Sequence, residues 1–254
     1  MAYFKGTEKA RYVSRMFAEI APKYDLLNSI MTGGLHHRWR NKVTDLVTEG
    51  LEGPSLDVAS GTGDFAFALS RHANSGQVVG VDYVREMVDL AYVKSTRKRN
   101  QESAQKLSLA VADALNLPFK SDQFSCVTIG FGLRNLGNVE HGLAELHRVI
   151  KPGGKLAVLE MTQVPGPLIW RWLFRWYFRN VTPVLGAVFA GNWKAYSYLP
   201  QSVDWFPPAE ELKAMMAHAG FRQITYRYFG KAADNGHHHG KSCRRAILWS
   251  CTFR

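Results

Sequence analysis

Between residues 51 and 162, short apolar runs rich in β-branched residues alternate with longer stretches whose apolar positions recur at helical spacing. Residues 56–59, 77–82, 106–112, 124–131 and 154–160 read as five strands, and residues 65–73, 85–99 and 140–150 as helices between them. Strand–helix–strand units of this kind pair in parallel through right-handed crossovers. Residues 221–228 and 245–253 read as two further strands joined by a polar loop, which places an antiparallel strand among the parallel ones. The pattern therefore predicts an α/β chain with a seven-stranded, mostly parallel sheet, an antiparallel last strand and helices on both faces. The first 50 residues are helical in pattern. They and residues 163–201 lie outside the alternation, as candidates for a lid.

The expected organisation is one domain over residues 1–254: a helical lid (1–50), a ligand-binding core (51–162), an aromatic and basic segment (163–207), and a C-terminal helix with a strand pair (208–254). A chain of 254 residues that is 46% hydrophobic has enough apolar side chains for a large core, which excludes intrinsic disorder. Cys126, Cys243 and Cys251 are too few and too scattered for a disulfide scaffold, and they fit a reducing compartment. The first residues contain no apolar run of signal-peptide length, and no stretch offers the roughly 18 charge-free apolar residues of a spanning helix. A cytoplasmic protein is expected. The 32 basic against 21 acidic residues give +11, which calls for an anionic partner: nucleic acid, lipid headgroup or acidic substrate.

The first strand runs into Asp57-Val58-Ala59-Ser60-Gly61-Thr62-Gly63-Asp64. Glycines after a buried strand let a ligand approach the backbone, and the next helix offers free N–H groups. Spacing alone is weak here, because Gly61 to Ala66 also fits the dinucleotide pattern G-x-G-x-x-A, and a tight turn without a ligand reads the same. Asp82 closes the second strand, where a carboxylate can accept both hydroxyls of a ribose. That geometry serves nicotinamide dinucleotides and S-adenosylmethionine alike, and a strand-terminal Asp is equally an ordinary turn residue.

Further along come Ala112-Asp113-Ala114, Leu117-Pro118-Phe119, Asp122-Gln123-Phe124-Ser125-Cys126-Val127 and Arg148-Val149-Ile150-Lys151-Pro152-Gly153-Gly154. With these in order, the chain resembles the seven-stranded, Rossmann-like S-adenosylmethionine-dependent methyltransferases. The resemblance implies S-adenosylmethionine as cofactor, with Asp57, Ser60, Gly61, Thr62, Gly63, Asp82, Tyr83, Asp113, Ala114 and Gly130 around it and the adenine against Asp113-Ala114. It narrows at Tyr24-Asp25-Leu26-Leu27-Asn28-Ser29-Ile30-Met31-Thr32 with His36 and Trp39, and at Gly130-Phe131-Gly132-Leu133-Arg134-Asn135. Those segments, Ser197-Tyr198-Leu199-Pro200-Gln201-Ser202-Val203 and residues 209–221 resemble the C-methyltransferases of menaquinone and ubiquinone biosynthesis over roughly residues 10–228.

Two departures matter. Relatives on the ubiquinone side often carry Ser at the place of Gly130, so the glycine leans toward a naphthoquinol, demethylmenaquinol becoming menaquinol. Residues 230–244 are unusually polar and hold His237-His238-His239; three adjacent histidines cannot all face one ion, so a solvated loop and no metal are expected.

Methyl transfer to carbon needs a phenolate and a water-poor cavity. The resemblance points to four residues. Arg134 would stabilise the oxyanion, unless it forms a structural salt bridge. Asn135 would position a hydroxyl or water. His36 would accept the phenolic proton, unless it caps a helix or packs on Trp39. Tyr24 would cover the cofactor or bond the quinol, and Asp25 reads as a helix cap. The expected partner is a prenylated quinol, with a membrane surface to supply it.

From Gln163 to Val203 there is no Asp or Glu, and Trp170, Trp172, Phe174, Trp176, Tyr177 and Phe178 interleave with Arg171, Arg175 and Arg179. A helix of this kind lies peripherally on an anionic leaflet, the inner face of the cell membrane, or is a core helix with snorkelling arginines. Other phenolic, benzoquinol, sterol or RNA acceptors, a non-catalytic scaffold and a dehydrogenase are the alternatives, and a homo-oligomer stays open. Nucleic acid is the weaker partner, because the chain carries no added RNA-binding domain and no Asn-Pro-Pro-Tyr motif.

Overall fold

The computed structural model describes residues 6–72, 75–97, 100–161, 193–230 and 244–253, with 169, 172, 176, 179–181 and 183–184. Seven strands form one sheet: β1 (Gly53–Val58), β2 (Ser75–Asp82), β3 (Leu107–Val111), β4 (Phe124–Gly130), β5 (Ile150–Glu160), β6 (Arg222–Gly230) and β7 (Arg244–Thr252), in the order β3-β2-β1-β4-β5-β7-β6. β1 to β5 pair in parallel, and β7 is antiparallel to both β5 and β6. This is the expected sheet, antiparallel strand included. β5 starts earlier than the expected residue 154: Ile150 pairs with Phe124, and the register shifts before Lys155 pairs with Cys126, so the Lys-Pro-Gly-Gly turn forms a bulged strand start.

The central strands are covered on both faces, so both sets of alternating side chains are buried: Phe124 to Ile129 are all buried, Ser125 and Thr128 included. On one face, Leu143 and Leu146 of α7 (Val139–Val149) and Leu212 and Met216 of α9 (Ala209–His218) pack on Leu56, Val127, Ile129 and Leu156. On the other, Trp39, Val43 and Val47 of α3 (Leu35–Thr48) meet Phe65 and Leu69 of α4 (Asp64–Ser70), Cys126 and Leu159. Helix α5 (Arg85–Ser95) stops four residues short of the expected end. The short α6 (Gln101–Ala104) follows, with Asn100 Nδ2 donating to the Lys94 carbonyl at 2.8 Å.

The N-terminal segment is helical as expected. α1 (Gly6–Ile20) and α2 (Tyr24–Thr32) pack through Val13, Met16, Ile20 and Leu27 against Tyr198 of α8 (Trp193–Asp204). Gly33 and Gly34, at φ 61° and 75°, turn the chain from α2 into α3 through two left-handed residues. Among the described residues no helix is long and apolar enough to cross a membrane. The His237–His239 loop and Trp170, Arg171, Phe174, Arg175, Tyr177 and Phe178 lie outside the described residues.

Asp57 sits in β1 with no exposed surface and accepts a 2.8 Å hydrogen bond from Thr128 Oγ1. Burial outweighs that bond and raises its carboxyl from 3.8 to about 7. Between those values the unfolded chain has released the proton and the folded chain still holds it, so stability falls as pH rises through the window. Replacing the carboxyl removes this penalty. Urea unfolding at pH 4 and at pH 8 should show Asp57→Asn gaining on the unsubstituted protein by up to about 4 kcal/mol across that range. Parallel pH profiles would mean that Asp57 is not desolvated in solution.

Candidate functional site

The loop after β1 is set by its backbone. Ala59 (φ 52°), Gly61 (φ 56°) and Gly63 (φ 84°) turn the strand sharply into α4, and a Cβ at Gly63 would press on Phe67 and Ala91 at 3.0 and 3.1 Å. Ser60 N–H donates to the Val81 carbonyl at 2.9 Å, tying the loop to β2. At the end of β2, Asp82 Oδ2 accepts from Gly61 N–H and Oδ1 from Val84 N–H, both at 2.8 Å. Burial raises the Asp82 carboxyl above its usual range, opposed by these backbone N–H groups.

A cavity opens beside this carboxylate at the carboxyl ends of the strands. Gly61, Asp82, Tyr83, Asp113, Ala114 and Gly130 line it, with Tyr24 and Asn135. A Cβ on Gly130 would fall 2.7 Å from a ring carbon of Phe65. Phe131 follows at φ 58°, a left-handed conformation costly for an aromatic residue, and it too faces the cavity. Asp57, Ser60, Thr62 and Gly63 are not in the wall; they shape the loop from behind.

Helices α1 and α2 close the cavity with Ala10, Val13, Ser14, Phe17 and Tyr24. Tyr24 lies over the glycine loop, one ring carbon 3.7 Å from where a Gly61 Cβ would be, and burial raises its phenol above the usual value. Asp25 does not cap α2. Its carboxylate accepts from Thr62 Oγ1 at 2.5 Å and Lys94 Nζ at 2.9 Å; Lys94 also holds Asp64 at 2.6 Å, and Arg40 pairs with Asp64 at 3.1 Å. Lys94, Asp64 and Arg40 escaped the sequence reading, because nothing in the spacing of residues 25, 40, 64 and 94 signals that they meet.

The turn Leu133–Asn135 carries the other two candidates. Glu160, fully buried at the end of β5, forms an ion pair with Arg134 and accepts the Arg134 backbone N–H at 3.2 Å. Arg134 Nη1 also donates to the Phe131 carbonyl at 2.7 Å and Nε to Ser202 Oγ at 3.3 Å. Arg134 thus makes the structural salt bridge and stands behind the cavity wall. Asn135 is in the wall, its Oδ1 accepting from the Tyr198 hydroxyl at 3.2 Å and its Nδ2 donating to the Phe131 carbonyl at 3.2 Å. Lys9 of α1 donates to the carbonyls of Arg134 and Leu136, 2.8 Å each. Neither Lys9 nor Glu160 gives a local sequence signal.

His36 is not brought to this cavity. It is buried on α3, with Nδ1 2.7 Å from Thr32 Oγ1 and Nε2 unpartnered among the described residues. Burial, then Arg40 and His37, lower its imidazole to about 4, so it is neutral at pH 7. The donor atoms of His36, His37 and Asp64 lie within 4.8 Å of one another. Both Asp64 oxygens are already paired with Lys94 and Arg40, however, so a cation there would meet two positive charges.

A family model described as the ubiE/COQ5 methyltransferase family matches residues 5–241. The chain is 44% identical over 220 residues to a demethylmenaquinone methyltransferase of Thermus thermophilus, covering 86% of this chain and 97% of that protein. It is 38% identical over 224 residues to a ubiquinone/menaquinone biosynthesis C-methyltransferase of Geotalea daltonii, covering 88% and 93%. Among solved structures, an S-adenosylmethionine-dependent methyltransferase of Thermotoga maritima, titled a possible histamine N-methyltransferase, superposes with a TM-score of 0.60 at 19% identity over 95% of this chain and all of that one. A phosphoethanolamine N-methyltransferase of Haemonchus contortus in complex with S-adenosyl-L-methionine gives 0.60 at 14% identity, covering 85% of this chain and 52% of that one. The chain belongs to the ubiE/COQ5 methyltransferase family.

Proposed function

We propose that this methyltransferase moves the methyl group of S-adenosylmethionine onto a ring carbon of a prenylated quinol, with demethylmenaquinol as the acceptor. The observation that carries the reading is one cavity whose wall holds Asp82, the Asp113-Ala114 step and Asn135 together. The residues fit the cofactor. A carboxylate already fixed by two N–H groups keeps lone pairs for a ribose diol. The bare Gly61 and Gly130 let the ligand approach the backbone, and Asp113-Ala114 provides a polar and an apolar contact for a base.

Bound there, S-adenosylmethionine supplies an electrophilic methyl group on a cationic sulfur. The chain does the rest by placement. Asn135, anchored by Tyr198, orients a quinol hydroxyl. Arg134, ion-paired with Glu160 behind the wall, holds the turn that carries Asn135, and loss of the phenolic proton delocalises charge onto the ring carbon ortho to the oxygen. Tyr24 and Phe17 exclude water from above. His36 is not among the residues lining this cavity. The naphthoquinol preference rests on the glycine at position 130, where ubiquinone-side relatives often carry Ser, and on the similarity to the demethylmenaquinone methyltransferase of Thermus thermophilus.

A membrane surface supplies the substrate. Ile169, Trp172 and Trp176 occupy helical positions three and four apart and are 60%, 60% and 53% exposed. Three large, exposed apolar side chains at this spacing suit insertion at a headgroup layer. Acid-free residues 163–203 add no repulsion from an anionic leaflet.

Purified protein given methyl-labelled S-adenosylmethionine and reduced demethylmenaquinol in detergent should place label on the ring carbon; label on oxygen, or none, refutes the assignment. Asp82→Ala should weaken S-adenosylhomocysteine binding by about 10- to 100-fold in calorimetry, the equivalent of losing one charge-assisted hydrogen-bond pair. In vesicle flotation with anionic lipid, Trp172→Ala/Trp176→Ala should reduce the bound fraction severalfold. Equal flotation would exclude this face as the contact.

A further inference from the structure

We infer that Lys9 is a positioning residue for methyl transfer: by holding the backbone on both sides of Asn135, it couples closure of α1 over the cofactor to orientation of the acceptor. The inference rests on the quinol reading for the acceptor, but not for the cofactor. Its geometry is particular. Nζ reaches the carbonyl oxygens of residues 134 and 136, each at 2.8 Å, one before and one after Asn135, which lines the cavity together with Leu136.

The same helix supplies the roof. Ala10, Val13, Ser14 and Phe17 stand within about two turns of Lys9, so α1 cannot lift from the cavity without drawing Nζ from its two acceptors. A backbone bond reinforces the seam, Gly6 N–H to the Gly137 carbonyl at 3.3 Å, where the chains run so close that a Cβ on Gly137 would fall 2.7 Å from the Gly6 oxygen.

Stability alone does not account for an ammonium in this place. Burial, then Arg134, lower the Lys9 amine from 10.5 to about 8, with Glu160 opposing, so the charge is held at a net electrostatic cost that an apolar side chain would avoid. What the ammonium provides instead is direction: two donors that set the turn only when α1 is down. The remaining anchors of the turn, Glu160 on β5 and Tyr198 and Ser202 on α8, belong to other elements.

The test compares the unsubstituted enzyme with Lys9→Met, which keeps the stem and removes the donors, and Lys9→Gln, which restores one donor. Lys9→Met should melt within a few degrees of the parent and lose about 10- to 100-fold in kcat with a much smaller change in KM for S-adenosylmethionine, the penalty expected of a misplaced reactant. Lys9→Gln should recover part of that loss. A kcat within twofold of the parent for Lys9→Met, or a loss confined to KM, overturns the inference.

Amide exchange separates this outcome from a failure of the quinol assignment. With S-adenosylhomocysteine alone, residues 6–20 and 133–137 should be protected together in the parent and lose that joint protection in Lys9→Met. If the parent methylates no quinol, the acceptor is wrong and the exchange result still decides Lys9, because equal protection in both proteins refutes it. If Lys9→Met does not fold, Lys9→Gln carries both measurements.

Discussion

A carboxylate clamped between two backbone N–H groups governs this molecule. Asp82 ends β2 at the sheet's upper edge and takes one bond from Gly61, across in the loop after β1, and one from Val84, two residues on. Without those bonds two N–H groups would be left without acceptors in a site closed by α1, at a cost of about 1–3 kcal/mol each. The bonds also fix the distance between the loops after β1 and β2, and so the width of the cavity that both strands open into. Parallel pairing brings the strand ends to one edge; Asp82 turns that edge into a site of defined shape.

Charge then holds α2 over the glycine loop. Asp25 of α2 reaches Thr62 and Lys94, and Lys94 reaches Asp64, which burial would push up and Arg40 and Lys94 together hold below the usual carboxylate range. On the opposite side, Glu160 fixes Arg134 from beneath. Buried ion pairs are weak stabilisers compared with apolar packing, but removing one partner is severe. They fit a role in geometry: they specify where the glycine loop and the Arg134–Asn135 turn stand relative to the sheet.

The sheet was readable from the sequence because its central strands are buried on both faces. β4 is the plainest instance, with apolar residues at four of the six positions from Phe124 to Ile129 and all six buried. Asp82 and Gly61 were readable for a local reason, since each lies where a strand ends. Lys9 and Glu160 were not, because the partners of Lys9 lie 125 and 127 residues away and Glu160 reads as one more acid at a strand end. His36 shows the opposite error. It is near Tyr24 in the chain, but the Gly33–Gly34 turn starts a new helix, whose buried face carries His36 toward Arg40 and Asp64 while Tyr24 stays over the loop.

The position of β7 has a bearing on how the protein is made. Residues 244–252 pair with β5 on one side and β6 on the other, so the strand that leaves the ribosome after the other six sits inside the sheet. Until it emerges, the outer edge of β5, which includes the apolar Leu156, Val158 and Leu159, has no neighbour, and β6 has nothing to pair with. An open, apolar strand edge is a template for intermolecular pairing. Nascent chains halted before this stretch are thus the species most in need of a chaperone, and the sheet is completed by an insertion between two waiting partners.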